Sequence, residues 1–113
     1  MNTIEQTITS MAEAARRAAR VIGCCSAPKK NAALERMANG ILRRADVIQA
    51  ANRKDLDAAR ASGLSEAMID RLTITDATLS AMAQGLREVA RLPDPVGSQG
   101  PAWTRPNGLQ VAR

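Results

Sequence analysis

The chain has 113 residues, a length that suits one small domain or part of a larger one. Hydrophobic residues make up 45% of it, but alanine is the commonest of them and there is one aromatic side chain, so any core depends on the Leu, Ile, Met and Val residues. The formal net charge is +5, and with no histidine and two cysteines the composition excludes an imidazole base and a Cys/His metal site.

The first predicted element is an amphipathic helix. Thr3 is expected to cap it in a capping box with Gln6, and Gly23 lies where the helix is expected to stop. Apolar residues recur at three- and four-residue spacing along it: Ile4, Ile8, Met11, Ala15, Ala18 and Ile22. Because the rest of its circumference is polar, we expect this helix to lie on a surface.

The second predicted helix opens at Ser26, with Pro28 in its first turn. Its apolar stripe is the most regular in the chain: Leu34, Met37, Ala38, Ile41, Leu42, Ala45 and Ile48. Gly40 interrupts the stripe at a cost of about 1 kcal/mol relative to alanine. A close contact with another helix would explain a glycine at that position.

Three shorter helices are expected to follow. Asn52 is predicted to cap the third, with Asp55 in its first turn and Gly63 at its end. Ser65 is expected to begin a short fourth helix, and Thr75 to cap the fifth. The fifth helix carries an apolar stripe of its own: Ala77, Leu79, Met82, Ala83, Leu86 and Val89.

Residues 92–95, Leu-Pro-Asp-Pro, are expected to end the fifth helix, since each proline lacks an amide donor and disfavours helix at the residue before it. Residues 96–104 are expected to cross the surface, and Asn107-Gly108 predicts a turn into a strand starting at Leu109. A lone strand leaves its backbone groups unpaired. The sequence therefore predicts an all-α arrangement of about five helices with a final turn and strand start, the opening of a larger α/β fold.

The residues that could carry chemistry are better explained by structural roles. Cys24-Cys25 predicts buried or half-buried thiols in a reducing compartment rather than a nucleophile. Asp55 and Asp57 are expected to be a cap residue and a surface charge, Asp70-Arg71 an ion pair, and Trp103 an aromatic packed at a rim rather than a stacking surface. There is no glycine-rich phosphate-binding motif. We predict no catalytic, cofactor-binding or metal-binding residue in the chain.

The positive charge lies in residues 1–60, whereas residues 61–113 are neutral in sum. Acidic residues are interspersed with the basic ones and no aromatic residues accompany them, so solvated helix faces are favoured over nucleic-acid binding. The sequence has neither a signal-peptide pattern nor an apolar run long enough for a membrane span. We expect a cytoplasmic protein that does not bind a membrane.

Several stretches resemble one enzyme family. The most specific are Leu-Pro-Asp-Pro-Val-Gly at 92–97 and Trp-Thr-Arg-Pro-Asn-Gly-Leu at 103–109, in that order. They are accompanied by residues 30–34, 37–38, 51–56, 63–64 and 70–72. Over nearly its whole length the chain resembles the N-terminal region of the gamma-glutamyl phosphate reductases, also called glutamate-5-semialdehyde dehydrogenases, of the aldehyde dehydrogenase superfamily.

The resemblance implies a division of the chain and a reaction. Residues 1–92 would be the helical N-terminal segment of a cofactor-binding domain, and residues 93–113 a linker, turn and first strand of its sheet. The family reduces L-glutamyl 5-phosphate to L-glutamate 5-semialdehyde with NADPH in proline biosynthesis, through a cysteine thiolate that displaces phosphate. Family members commonly form homo-oligomers.

The family's catalytic cysteine and nucleotide-binding strands lie beyond Arg113, so the resemblance places no site residue in this chain. We expect these residues alone to be inactive and to bind no cofactor. We also expect the stripe of the second helix to dock on the remainder of the same fold, its main partner. In isolation the chain would then expose apolar surface and associate loosely.

An alternative is a self-contained basic helical module that binds a protein partner or nucleic acid. It explains the helices and the charge, but not the two specific stretches near the end of the chain. An affinity for nucleic acid that falls steeply with salt would favour it. A reading frame that continues into alternating strands and helices with a downstream cysteine would favour the reductase.

Overall fold

The computed structural model describes residues 2–113, which form two compact units. One unit joins the described part of Met1–Ala27 to Pro93–Arg113, and the other is Pro28–Leu92. Within the described residues there are five helices and two short strands: α1 Thr3–Gly23, α2 Ala27–Arg43, α3 Ala45–Ala61, α4 Glu66–Leu72, α5 Asp76–Arg91, β1 Trp103–Thr104 and β2 Gln110–Val111.

The cap of α1 lies one residue earlier than predicted. The side-chain oxygen of Asn2 accepts a hydrogen bond from the Glu5 amide at 2.8 Å, and Asn2 has the extended backbone that a cap requires. Thr3 is instead the first helical residue, so the predicted box with Gln6 is wrong. The predicted end at Gly23 is confirmed, and no residue of α1 is buried.

The end of the chain is a β-hairpin. β1 pairs antiparallel with β2, with Trp103 opposite Val111. The predicted turn is confirmed, because the Gly108 amide donates to the Arg105 carbonyl at 2.9 Å and Gly108 has a φ of 85° that favours glycine. The predicted lone strand is wrong: Trp103 and Thr104, an aromatic and a β-branched residue, supply a partner strand within the expected surface crossing.

In the second unit, the structure contains two helices, α2 and α3, where the apolar stripe predicts one. The stripe predicted to run through Ala45 and Ile48 is broken at Arg44, whose φ of −107° and ψ of 21° lie outside the helical range. The Ile48 amide donates to the Arg44 carbonyl at 3.0 Å, so α3 begins directly after the break. Asn52 and Asp55 consequently lie in the interior of α3, and their predicted roles in a first turn are wrong.

Asn52 joins α3 to the connection between α4 and α5. Its amide nitrogen donates to the Leu72 carbonyl at 2.9 Å, and its oxygen accepts from the Ile74 amide at 2.9 Å. The side chain is 5% exposed, and Leu56, one helical turn further along α3, is also buried. Asn52 thus pairs backbone groups left over where α4 ends.

The remaining helix ends follow the sequence signals. Gly63, with a φ of 74°, ends α3 in a Schellman arrangement, in which the Leu64 amide donates to the Ala59 carbonyl at 3.1 Å. Ser65 caps α4 as predicted, and Thr75 caps α5 in a reciprocal pair of bonds with Thr78. These short-range predictions are confirmed.

The core of the second unit is small. Within the described residues its buried apolar side chains are Ala38, Leu56, Ala59, Ile69, Leu79 and Ala83. Leu79 is the largest side chain with less than 2% exposure, and three of the six buried apolar residues are alanine. On the surface, Arg87 of α5 contacts Glu35 of α2 at 3.4 Å and donates to Asn39 at 2.8 Å. The thin core expected from the composition is what the structure contains.

Candidate functional site

An open groove of about 710 Å³ lies on the second unit. Its lining comes from α2, Arg44 at the break, α3 and the residue before the α5 cap: Met37, Gly40, Ile41, Arg44, Val47, Ile48, Ala51, Asn52, Asp55 and Ile74. Of the stripe predicted to dock on other structure, Met37, Ile41 and Ile48 line the groove, whereas Leu34 and Leu42 do not. The break at Arg44 places residues of both helices around one concavity.

The groove is suited to packing rather than to catalysis. Most of its lining is apolar, and Met37 is 54% exposed. Its charged members are Arg44 and Asp55, and the polar groups of Asn52 are occupied by the backbone bonds described above. An exposed apolar surface with so few polar groups can bury area against a partner, but it supplies no acid–base pair for a reaction.

Gly40 faces open space at this groove. A methyl group built on its Cα has no atom within 4 Å outside its own helix backbone and chain neighbours, and the same is true of Gly85 in α5. The interpretation of Gly40 as a point of close helix contact is therefore wrong for this chain.

Gly40→Ala is expected to stabilise the chain by about 0.5–1 kcal/mol, because alanine favours helix and meets no obstruction. Urea unfolding followed by circular dichroism measures the change. Gly85→Ala, in a helix and equally unobstructed, is the matched control and should stabilise by a similar amount. A loss of stability confined to Gly40→Ala would show that the groove is filled in solution.

The two cysteines lie where α1 ends. Cys25 is half-buried as predicted, and its thiol donates to the Val21 carbonyl at 3.3 Å. Cys24 is exposed, so the prediction of a buried or half-buried thiol is wrong for that residue. No group of three or more cysteines and carboxylates within residues 2–113 has the placement of a metal site. The expectation that neither thiol is a nucleophile stays a prediction.

The other candidate residues are surface groups. Asp57 forms an ion pair with Arg60 at 3.7 Å, as a surface charge would. Asp70 and Arg71 form no ion pair within the described part of the chain, so that prediction is wrong; neighbouring positions on a helix point in different directions. Trp103 remains 44% exposed in β1. Among residues 2–113, no helix combines the length and hydropathy that a membrane crossing requires.

Comparison with known proteins gives a consistent family. No protein-family model matches the chain. A gamma-glutamyl phosphate reductase of Desulforapulum autotrophicum is 50% identical over 111 residues, which are 98% of this chain and 27% of that protein. The proteins of the same name from Desulfatibacillum aliphaticivorans and Paramagnetospirillum magneticum are 50% and 44% identical, over 98% and 97% of the chain. The chain spans about a quarter of the length of these relatives.

The fold agrees with these sequence matches. The crystal structure of gamma-glutamyl phosphate reductase from Thermotoga maritima superposes with a TM-score of 0.87 and 33% identity, over 92% of this chain and 25% of that one. The expected arrangement, five helices followed by a turn and a strand, is confirmed, with the hairpin as an addition. Over almost its whole length the chain is homologous to a segment making up about a quarter of the gamma-glutamyl phosphate reductases.

Proposed function

We propose that these residues are the N-terminal helical segment of a cytoplasmic reductase that converts L-glutamyl 5-phosphate to L-glutamate 5-semialdehyde with NADPH. The observation that carries the proposal is 50% identity along 98% of the chain to a gamma-glutamyl phosphate reductase. The described residues contain no glycine-rich phosphate cradle and no paired thiol and base, so we assign no step of the reaction to them. Their role is structural.

The groove supports this role. A fold with a nucleotide-binding sheet needs helices over its faces, and each such helix needs an apolar side turned toward the sheet. Met37, Ile41 and Ile48 provide such a side: within the second unit Met37 is exposed, and Ile41 and Ile48 are only half-buried. We propose that the groove packs against the remaining three quarters of the reductase.

A chimeric enzyme tests the proposal. The matching segment of the Desulforapulum autotrophicum reductase is replaced by this chain, and the phosphate-dependent reduction of NADP⁺ by glutamate 5-semialdehyde is followed, which is the reaction in reverse. The chimera is expected to turn over at a rate within about tenfold of the unchanged enzyme, since half of the exchanged residues are identical. The 113-residue chain alone is expected to show no turnover.

Three controls make the result decisive. The reductase without the segment should be inactive, and a chimera with both cysteines changed to serine should keep its rate. Gly40→Ala in the chimera should lose the stabilisation it gives the isolated chain, whereas Gly85→Ala should keep it. A folded chimera without turnover, or turnover by the 113 residues alone, would contradict the proposal.

A further inference from the structure

The two cysteines of the chain are neighbours, and the proposed function uses neither. Cys24 and Cys25 are the only thiols in the sequence, and both are free. Cys24 is exposed to solvent, whereas Cys25 is half-buried. The sequence contains no histidine, so the pair has no other sulfur or imidazole to combine with. A reagent that requires two soft donors from one chain must therefore take both from this pair.

The pair lies just beyond the last turn of α1. The Cys24 amide donates to the Val21 carbonyl at 3.1 Å and the Cys25 amide to the Ile22 carbonyl at 3.0 Å, so the backbone of both residues is held. The Cys25 thiol also donates to the Val21 carbonyl, at 3.3 Å. Because a thiol–carbonyl hydrogen bond is weak, little is lost when the Cys25 side chain rotates toward that of Cys24.

Neighbouring cysteines are poorly placed for a disulfide. The Cα atoms of consecutive residues are about 3.8 Å apart, whereas a disulfide normally joins Cα atoms that are about 4.4–6.8 Å apart. An S–S bond between Cys24 and Cys25 would be strained and readily reduced. One atom inserted between the two sulfurs lengthens the link by a bond and relieves this strain. The pair is therefore better suited to holding a single soft atom than to oxidation.

We propose that Cys24 and Cys25 together bind a trivalent arsenical, in which one soft arsenic atom takes both sulfurs as ligands. Trivalent arsenic is pyramidal and holds its ligands at angles not far from 90°, which suits two sulfurs carried by consecutive residues. Cys24, the exposed thiol, forms the first As–S bond. Cys25 then closes the ring within the same chain, where its effective concentration is high.

The reaction with phenylarsine oxide balances without an oxidant or a reductant. The two S–H bonds and the bonding between arsenic and the oxide oxygen are broken, and two As–S bonds form. The two protons leave with the oxide oxygen as one water molecule. Arsenic stays trivalent, and neither sulfur is oxidised. The site is one of binding only, and it does not depend on the proposed reductase reaction.

Addition of phenylarsine oxide to the 113-residue chain tests the site, with the mass of the intact chain and the number of free thiols as measurements. The unchanged chain is expected to gain one phenylarsenic group and to lose both free thiols. Cys24→Ser and Cys25→Ser should each bind at least about a hundredfold more weakly, because one As–S bond cannot form a chelate. Excess glutathione, a monothiol, should remove the adduct from either variant but not from the unchanged chain.

A matched control keeps two thiols but separates them. Cys25→Ser combined with Ser80→Cys moves the second thiol to an exposed position of α5, and this variant should bind like Cys25→Ser alone. Circular dichroism of the unchanged chain should show its helices intact in the adduct, since both cysteines follow the last residue of α1.

Four results would overturn the proposal. Glutathione could remove the adduct from the unchanged chain as easily as from the single variants, or the adduct could leave one thiol free. The separated pair could bind as tightly as the unchanged chain, in which case adjacency is not what holds arsenic. The adduct could also form only with loss of helix, in which case the folded chain does not offer the site.

Discussion

Leu79→Ala is expected to lower the free energy of unfolding by about 3 kcal/mol, because it removes the largest fully buried side chain from a core of few residues. Leu79 is 1% exposed, and the other buried residue of α5, Ala83, has little apolar area to compensate. Since small domains are stable by only about 5–15 kcal/mol, the loss should be visible as a large drop in the urea midpoint. Circular dichroism at a fixed protein concentration measures it.

The control for this change lies three residues further along α5. Met82 is 49% exposed, so Met82→Ala should cost less than about 1 kcal/mol while making a similar change in helix propensity. Equal losses for the two variants would mean that Leu79 is not the centre of the core in solution. A fixed concentration is needed because self-association would itself contribute to the apparent stability.

The parts of this fold that the sequence predicts are those decided within a few residues. Ser65 and Thr75 cap their helices because the donor and acceptor lie within three positions of each other. Gly63 and Gly108 adopt the positive φ angles that end a helix and close a hairpin. Such features need no knowledge of what lies elsewhere in the chain.

The features that the sequence does not predict depend on distant partners. The pattern of Asn52 with Asp55 is what a helix start would show, yet Asn52 bonds backbone atoms twenty and twenty-two residues away. The break at Arg44 is hidden because the apolar spacing continues across it. β1 is hidden because two residues are too few to show alternation, and only the turn that follows brings them opposite β2.

The sequence predicts only part of the groove, for the same reason. Periodicity identifies Met37, Ile41 and Ile48 as one apolar side, but it cannot show that the side is concave or that Ile74 and Val47 complete it. Gly40 illustrates the difference: the sequence suggested a close contact, whereas the structure leaves open space there. A glycine at position 40 would still be explained by a close contact if the remaining part of a longer reductase occupied that space.

Asn52→Ala is expected to lower the free energy of unfolding by about 2–3 kcal/mol, although alanine is the better helix former. The reason is that the Leu72 carbonyl and the Ile74 amide would lose their partners while the connection between α4 and α5 stays packed against α3. Besides urea unfolding, amide hydrogen exchange reports the effect locally. The Ile74 amide should exchange much faster in the variant, since it loses its acceptor.

Two further variants separate the hydrogen bonds of Asn52 from its place in the helix. Asn39→Ala removes an asparagine from α2 that accepts a bond from Arg87 on the surface, so it should cost less than about 1 kcal/mol. Asn52→Asp keeps an acceptor for the Ile74 amide but sets a carboxylate against the Leu72 carbonyl in a buried site, and should destabilise at least as much as Asn52→Ala. If Asn52→Ala cost no more than Asn39→Ala, with unchanged exchange at Ile74, then the pairing of α3 with the α4–α5 connection would not hold the unit together.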